Sequence, residues 1–172
     1  MALVMFVMSV TPCFAQSKAA LDAAVVETVR QFNILDPRHA ALEERAAGIL
    51  IFPQVSKGGL ALASGYGEGA LEIHGAIVDY YSIASASVGL TAGIGAHSEI
   101  ILFMNPDALA RFQASKGWSV AAESGIAMLS KGMANDYESA ALEKPILVFV
   151  FGEKGLIADL SLRGSKIHKL SK

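Results

Sequence analysis

The sequence predicts an α+β domain: a curled or barrel-like antiparallel β-sheet with an N-terminal helical segment and a short helix near residues 106–115. Three observations carry this. Apolar residues recur at helical spacing up to Gly48 and at a period of two beyond it. Two later stretches, 60–73 and 80–96, alternate so that one face is almost bare of side chains. Glycine inside a strand marks a bend or a close backbone approach, so two smooth strands point to strong curvature. Finally, 172 residues with 53% hydrophobic and 17% charged content suffice for one well-filled core.

Residues 1–15 are read as an export signal. Residues 2–10 are apolar, Pro12 opens a cleavage region, and Cys13-Phe14-Ala15 has the small-x-small form cut after Ala15, although no Lys or Arg precedes the apolar core. Cleavage leaves residues 16–172 as a single domain. Cys13 is the only cysteine, so the mature domain forms no intramolecular disulfide.

From Ser17, Leu21, Val25, Val29 and Phe32 mark one helical face. Asp36-Pro37 interrupts it, because proline disfavours helix in the residue before it. A second helix follows with Asp36 as its cap and Pro37 in its first turn, ending near Gly48. Ile49–Phe52 is a short buried strand stopped by Pro53, and Lys57-Gly58-Gly59 turns into a strand from Leu60 to about Ile73. Its odd positions are Ala61, Ala63, Gly65, Gly67 and Gly69. Tyr80–Ala96 repeats the design, and Ile100–Met104 is a further strand. Asn105-Pro106-Asp107 starts the short helix: Asn as cap, Pro in first position, an acid at the positive end of the dipole. Gly117-Trp118 leads into a strand through Val120, Ala122 and Ile126, and Asn135-Asp136 is a loop. Ile146–Phe151, a turn at Gly152–Gly155 and Leu156–Arg163 form a closing hairpin.

Several functions are disfavoured. A net charge of −2 argues against a nucleic-acid binder. The apolar stretches at 100–104 and 145–152 are bracketed by Glu99 and Asp107, and by Lys144 and Glu153, and fall short of the roughly 18–20 residues of a spanning helix. Gly65-Tyr66-Gly67-Glu68-Gly69 is followed by strand-like alternation, whereas a dinucleotide loop needs a helix there. The four histidines are scattered; Glu72 and His74, two apart on a strand, are the one suggestive pair, and no metal site or cofactor is expected. No serine lies in a Gly-x-Ser-x-Gly elbow, and Asp79, Glu99 and Asp159 are the carboxylates left to consider. No enzyme activity is expected. The C-terminus, by contrast, gathers Arg163, Lys166, His168, Lys169 and Lys172, a basic end suited to anionic headgroups.

Ala47–Pro53, followed by Lys57-Gly58-Gly59 and Tyr66-Gly67-Glu68-Gly69, resembles the opening of the SYLF family. The Gly-x-x-x-Gly-x-Gly of Ser85–Gly95, Ile101–Met104 before Asp107-Ala108-Leu109, and Gly155–Ala158 leading to Leu162–Ser165 fit the same pattern. The resemblance spans roughly 40–170. It implies lipid binding without a catalytic motif and, for an exported chain, the bacterial branch of the family, placed in the periplasm or at the outer membrane. Its eukaryotic members associate with phosphoinositide membranes and actin regulation through an amphipathic N-terminal segment and basic residues. On this basis the candidate lipid contacts are Lys18 and Arg30 on the first helix, Lys57 at a turn, and Arg163, Lys166 and Lys169. The expected partner is an anionic phospholipid or membrane surface, with an envelope protein as the alternative.

Overall fold

A computed structural model describes residues 16–58, 62–88, 95–129, 137–152, 155–156 and 164–172. The expected export signal, the Asn135-Asp136 loop, Asp159 and Arg163 lie outside these residues. The chain opens with helix α1 (Lys18–Leu35) and α2 (Arg38–Arg45), continues through strands β1 (Gly48–Gly58), β2 (Leu62–Ile73), β3 (Ala76–Val88) and β4 (Gly95–Phe103), and reaches α3 (Pro106–Ala114). Then come β5 (Trp118–Ser119), a single 3-10 turn (Val120–Ala122), β6 (Ile126–Leu129), α4 (Tyr137–Glu143), β7 (Ile146–Gly152), β8 (Gly155–Leu156) and β9 (Ser165–Leu170).

All but one of these strands form a single path, β5-β9-β3-β2-β1-β4-β7-β6, with β8 added on β7. The sheet is a strongly curled half-barrel. Pairing is antiparallel except between β6 and β7, which run parallel from Ile126 beside Ile146. The expected all-antiparallel sheet is thus mixed, because β6 is reached from the opposite edge and not by a hairpin. That route also accounts for the curl. A flat path of this kind would separate its edge strands by about 33 Å at the usual strand spacing. The link from Ser119 to Ile126 reaches only about 25 Å when fully extended, so the edges must turn toward each other. The face this strap crosses is therefore the concave one.

Glycines allow the curl. β1 is not stopped by Pro53 as expected but runs on through a bulge, where its register shifts between Phe52 and Val55 against β4 and between Ile51 and Gln54 against β2. Bulges accept proline because a ladder hydrogen bond is already lost there. The Pro53 carbonyl instead accepts from Ser98 Oγ at 2.8 Å. The bulge folds β1 over β2: a Cβ on Gly69 would lie 2.3 Å from the Ile51 carbonyl oxygen and 2.5 Å from the Phe52 ring, and one on Gly67 2.6 Å from the Gln54 carbonyl oxygen.

Each face of the sheet carries its own core. On the concave face Leu50, Phe52, Leu71, Ile101 and Val148 pack against Phe112 of α3, Trp118 of β5 and Val120 of the strap. On the other face Ile51, Ile100, Leu147 and Phe149 are covered by Leu21, Val25 and Phe32 of α1, Leu42 of α2, and Tyr137 and Ala141 of α4. The α1 face is the expected one, with Thr28 buried and Val29 half-buried. Ser17 caps α1 by accepting from Ala20 N at 3.3 Å. Asp36 Oδ1 accepts from Arg38 N at 3.0 Å at the break before α2. Asn105 caps α3 as expected, accepting from Ala108 N at 2.8 Å.

Three expected strands differ. Tyr80–Ala96 divides into β3 and β4, which pair with different neighbours; residues 89–94 between them lie outside the described set. Of the strand expected from Trp118 to Ile126, Trp118–Ser119 (β5) and Ile126 (the start of β6) are strand, and the residues between them are the strap, which opens with the 3-10 turn. The hairpin from Ile146 holds as far as Leu156, and Ser165–Leu170, read as a basic end, is strand β9 between β3 and β5. Among the described residues no helix is long and apolar enough to cross a membrane.

Gly69→Ala should cost about 1–3 kcal/mol, the usual penalty of overpacking a rigid site, read as a lower urea midpoint. Gly75→Ala, at a turn with φ +79° and open space around it, should cost only about 1 kcal/mol, the strain of φ > 0.

Candidate functional site

The sequence-predicted cations do not form one patch. Lys18 lies with its Nζ 5.4 Å from the centroid of Tyr80, whose hydroxyl donates to Asp22 Oδ1 at 2.7 Å. Burial, and then that acidic neighbour, push the Tyr80 phenol up to about 12. Arg30 is exposed and forks onto Glu27, with Nε 2.8 Å from Oε2. These hydrogen bonds pull the Glu27 carboxyl down to about 2. Lys57 occupies the end of β1 opposite Gly65 and Gly95. Lys166 is exposed on β9, opposite Ala84 and Ser119. Lys169 pairs with Asp79 at 2.7 Å. Lys172 joins Glu68 and also donates to the Gln16 carbonyl oxygen at 2.7 Å, so the C-terminal end of β9 meets the start of α1. The structure thus brings Lys18, Lys169 and Lys172 to the Tyr80–Tyr81 end of β3, each close to an acid. The Lys169–Asp79 pair is the exposed one; such a pair is worth about 0–1 kcal/mol, so an anionic ligand can compete for it, whereas the Lys172 and Glu68 side chains are largely covered.

The more distinctive surface is the solvent side of α1. Leu21, Val25, Thr28 and Phe32 are turned into the core. Ala19, Ala23, Val26, Arg30 and Ile34, at spacings of three and four, form a continuous stripe on the opposite side and are all exposed. Val26 and Ile34 each remain 66% accessible. The helix therefore presents an apolar stripe with one cation outward as well as an apolar face inward. Sequence reasoning identified the inward face and missed this one, although its spacing is equally helical.

Two further features stand apart from the cations. A cleft of about 330 Å³ opens beside the β1 bulge, lined by Gln31, Pro53, Gln54, Ala96, His97, Ser98, Phe151 and Gly152. On β4, the His97 ring nitrogen Nε2 lies 2.6 Å from Glu99 Oε1, both side chains almost fully buried, while Glu99 Oε2 has no partner. This pair has the i, i+2 spacing that singled out Glu72 and His74. Those two do not share a strand face, because His74 sits at φ 51° in the β2–β3 turn. Among the described residues no three His, Cys, Asp or Glu side chains gather as metal ligands would.

A single curled sheet, filled on its concave side by a strap and one helix and roofed on the other by helices, defines a compact α+β module. The family model of Ysc84, described as Las17-binding protein actin regulator, matches residues 84–172, and the chain belongs to this family, the SYLF domain. The match begins within β3, so α1 lies outside it. No curated protein matches the chain.

His97→Ala should destabilise the domain by about 3–5 kcal/mol, since it leaves Glu99 buried without a donor. The double change His97→Leu with Glu99→Leu should cost markedly less, because it removes the polar demand from both partners. Urea unfolding of the three proteins measures the difference; equal losses would show that packing alone is at stake.

Proposed function

We propose that this protein is a non-enzymatic phospholipid-binding domain, exported to the bacterial cell envelope and acting at an anionic membrane surface in the periplasm or at the outer membrane. The observation that carries the reading is the outward stripe of α1. A helix lying in a membrane interface buries an apolar stripe among headgroups and keeps its cations level with lipid phosphates. Val26 and Ile34 supply the apolar contact and Arg30 on the stripe supplies charge, with Lys18 a further cation at the start of the same helix, over the Tyr80 ring. Each cation near such a surface is worth about 1 kcal/mol. The inward face of α1 is committed to the core, which makes the outward stripe the one available to the docked helix. Lys166 and Lys169 on β9 add to the attraction, and Lys57 and Arg163 remain candidates on the same grounds as before.

A second reading is an envelope protein-interaction domain without specific lipid binding. The family description favours it, since that description names a protein partner; here the counterpart would be an envelope protein seated on the same stripe.

Co-sedimentation with phosphatidylglycerol and phosphatidylcholine vesicles at low and high salt tests the first reading. Binding should be selective for the anionic vesicles and weaken in salt. The double variant Val26→Asp/Ile34→Asp should lose at least tenfold in affinity, and Arg30→Glu less. Absence of sedimentation under every condition would leave the interaction domain as the better account.

A further inference from the structure

We propose that His39 is an acid-sensitive latch holding α1 and α2 on the sheet, and that protonation of its ring lets these two helices lift together. The latch itself stands on the geometry below; its use in membrane attachment rests on the lipid-surface reading.

His39 projects from α2 into the outer core and is fully buried. Its ring stacks on Phe32 of α1 at 3.9 Å and 11°, and packs against Phe149 of β7 at 5.1 Å and Tyr137 of α4 at 5.5 Å. One side chain of α2 therefore touches α1, α4 and β7. Nδ1 lies 2.6 Å from the carbonyl oxygen of Phe32, one of the last four carbonyls of α1, which lack donors within the helix. A carbonyl only accepts, so Nδ1 carries the hydrogen and Nε2 is left with its lone pair. Nε2 is buried with no hydrogen-bond partner. A proton arriving there would create a charged N–H among aromatic rings with no acceptor to receive it, which is costly in an apolar surround.

The neighbouring charges do little to offset this. Phe32, Phe149 and Tyr137 bring none, and burial raises the Tyr137 phenol further from ionisation. Asp36, between the helices, favours the imidazolium and Arg38 of α2 opposes it; the two are engaged with each other, Arg38 Nε lying 2.9 Å from Asp36 Oδ1. Burial dominates and holds the His39 ring below its ordinary 6.5. The other titratable group at the joint, Glu43 of α2, hydrogen-bonded by Asn33 of α1 at 3.3 Å, is raised by burial and so favours the docked state on acidification, the opposite sense.

The sign follows from linkage. A released His39 takes up a proton near pH 6.5, whereas the docked one resists it. Docking is therefore fully stable above pH 6.5 and weakens as pH falls from there toward the depressed value, by at most tenfold in the opening equilibrium per pH unit. Release is also local. Among the described residues the ladder begins at Ala47 N, which donates to the Phe103 carbonyl at 2.8 Å, and α1 and α2 lie before it. They can lift as a unit without breaking a strand pair, exposing Leu21, Val25 and Phe32 to a membrane.

Amide hydrogen exchange of the protein without lipid, between pH 7.5 and 5 and corrected for the intrinsic rate, decides the matter. Amides of α1 and α2 should lose protection by up to tenfold per pH unit below 6.5, while those of β1, β4 and β7 hold theirs. His39→Phe, which keeps the stack and cannot titrate, should abolish the dependence; Glu43→Gln should keep it. If His39→Phe does not fold, the wild-type comparison of helix with strand amides still decides. Helix protection that is flat with pH, or that falls in step with the strands, would overturn the latch. Helices that lift in acid yet bind no phosphatidylglycerol vesicles would uphold the latch and remove the lipid reading instead.

Discussion

Ser119 on one edge of the sheet and Ile126 on the other are joined by a strap too short to span a flat sheet of this width, and the remaining architecture answers to that tether. The strands must turn their edges toward each other, and somewhere the backbone must bend sharply to let them. The bend falls where β1 bulges at Pro53 over the glycines of β2, whose missing side chains leave room for the Ile51 carbonyl and the Phe52 ring. The curl divides the packing problem in two. The concave side is narrow, and a single short helix with the aromatic cluster of Phe103, Phe112 and Trp118 fills it. The convex side is broad and takes three helices.

Buried polarity follows the same division. On β4 His97 and Glu99 answer each other within one strand, next to the bulge where regular pairing is interrupted. In the outer core His39 answers the end of a helix, so its bond joins separate elements. The first arrangement pins a side-chain pair to the sheet; the second ties a terminal segment to the body of the domain. The exposed stripe of α1 sits on that same terminal segment, so the outward apolar surface and the buried joint belong to the same pair of helices.

What could be read in advance was what local chemistry decides. Asp36-Pro37 separates two helices because proline constrains the residue before it, and Asn105-Pro106-Asp107 opens a helix through a cap, a fixed φ and a favourable charge. The bare face of β2 announced a close approach, although not which segment would approach. What stayed hidden depended on distant partners. Pro53 has the look of a strand stop and is tolerated only because a bulge removes its ladder bond. Trp118–Ile126 alternates as a strand does, yet between Ser119 and Ile126 the chain crosses the concave face. Ser165–Leu170 buries little besides Ser165 and Ile167, too little apolar alternation to mark a strand. Glu72-x-His74 and His97-x-Glu99 are identical as spacings, and only the left-handed turn at His74-Gly75 distinguishes the pair that never forms from the one that does.

The place of β9 has a bearing on how the chain comes to be folded. Among the described residues the last strand in sequence, β9, is inserted between β3 and β5, far from the strands that precede it. Until it arrives, β3 presents an open edge of unpaired amides and carbonyls, the kind of edge that invites pairing with another chain. β1 to β4 can zip together early, but β3 is sealed and β5 anchored only when β9 docks. Such long-range closure is slow, and a nascent chain of this family member remains incompletely closed until β9 has been made and has docked.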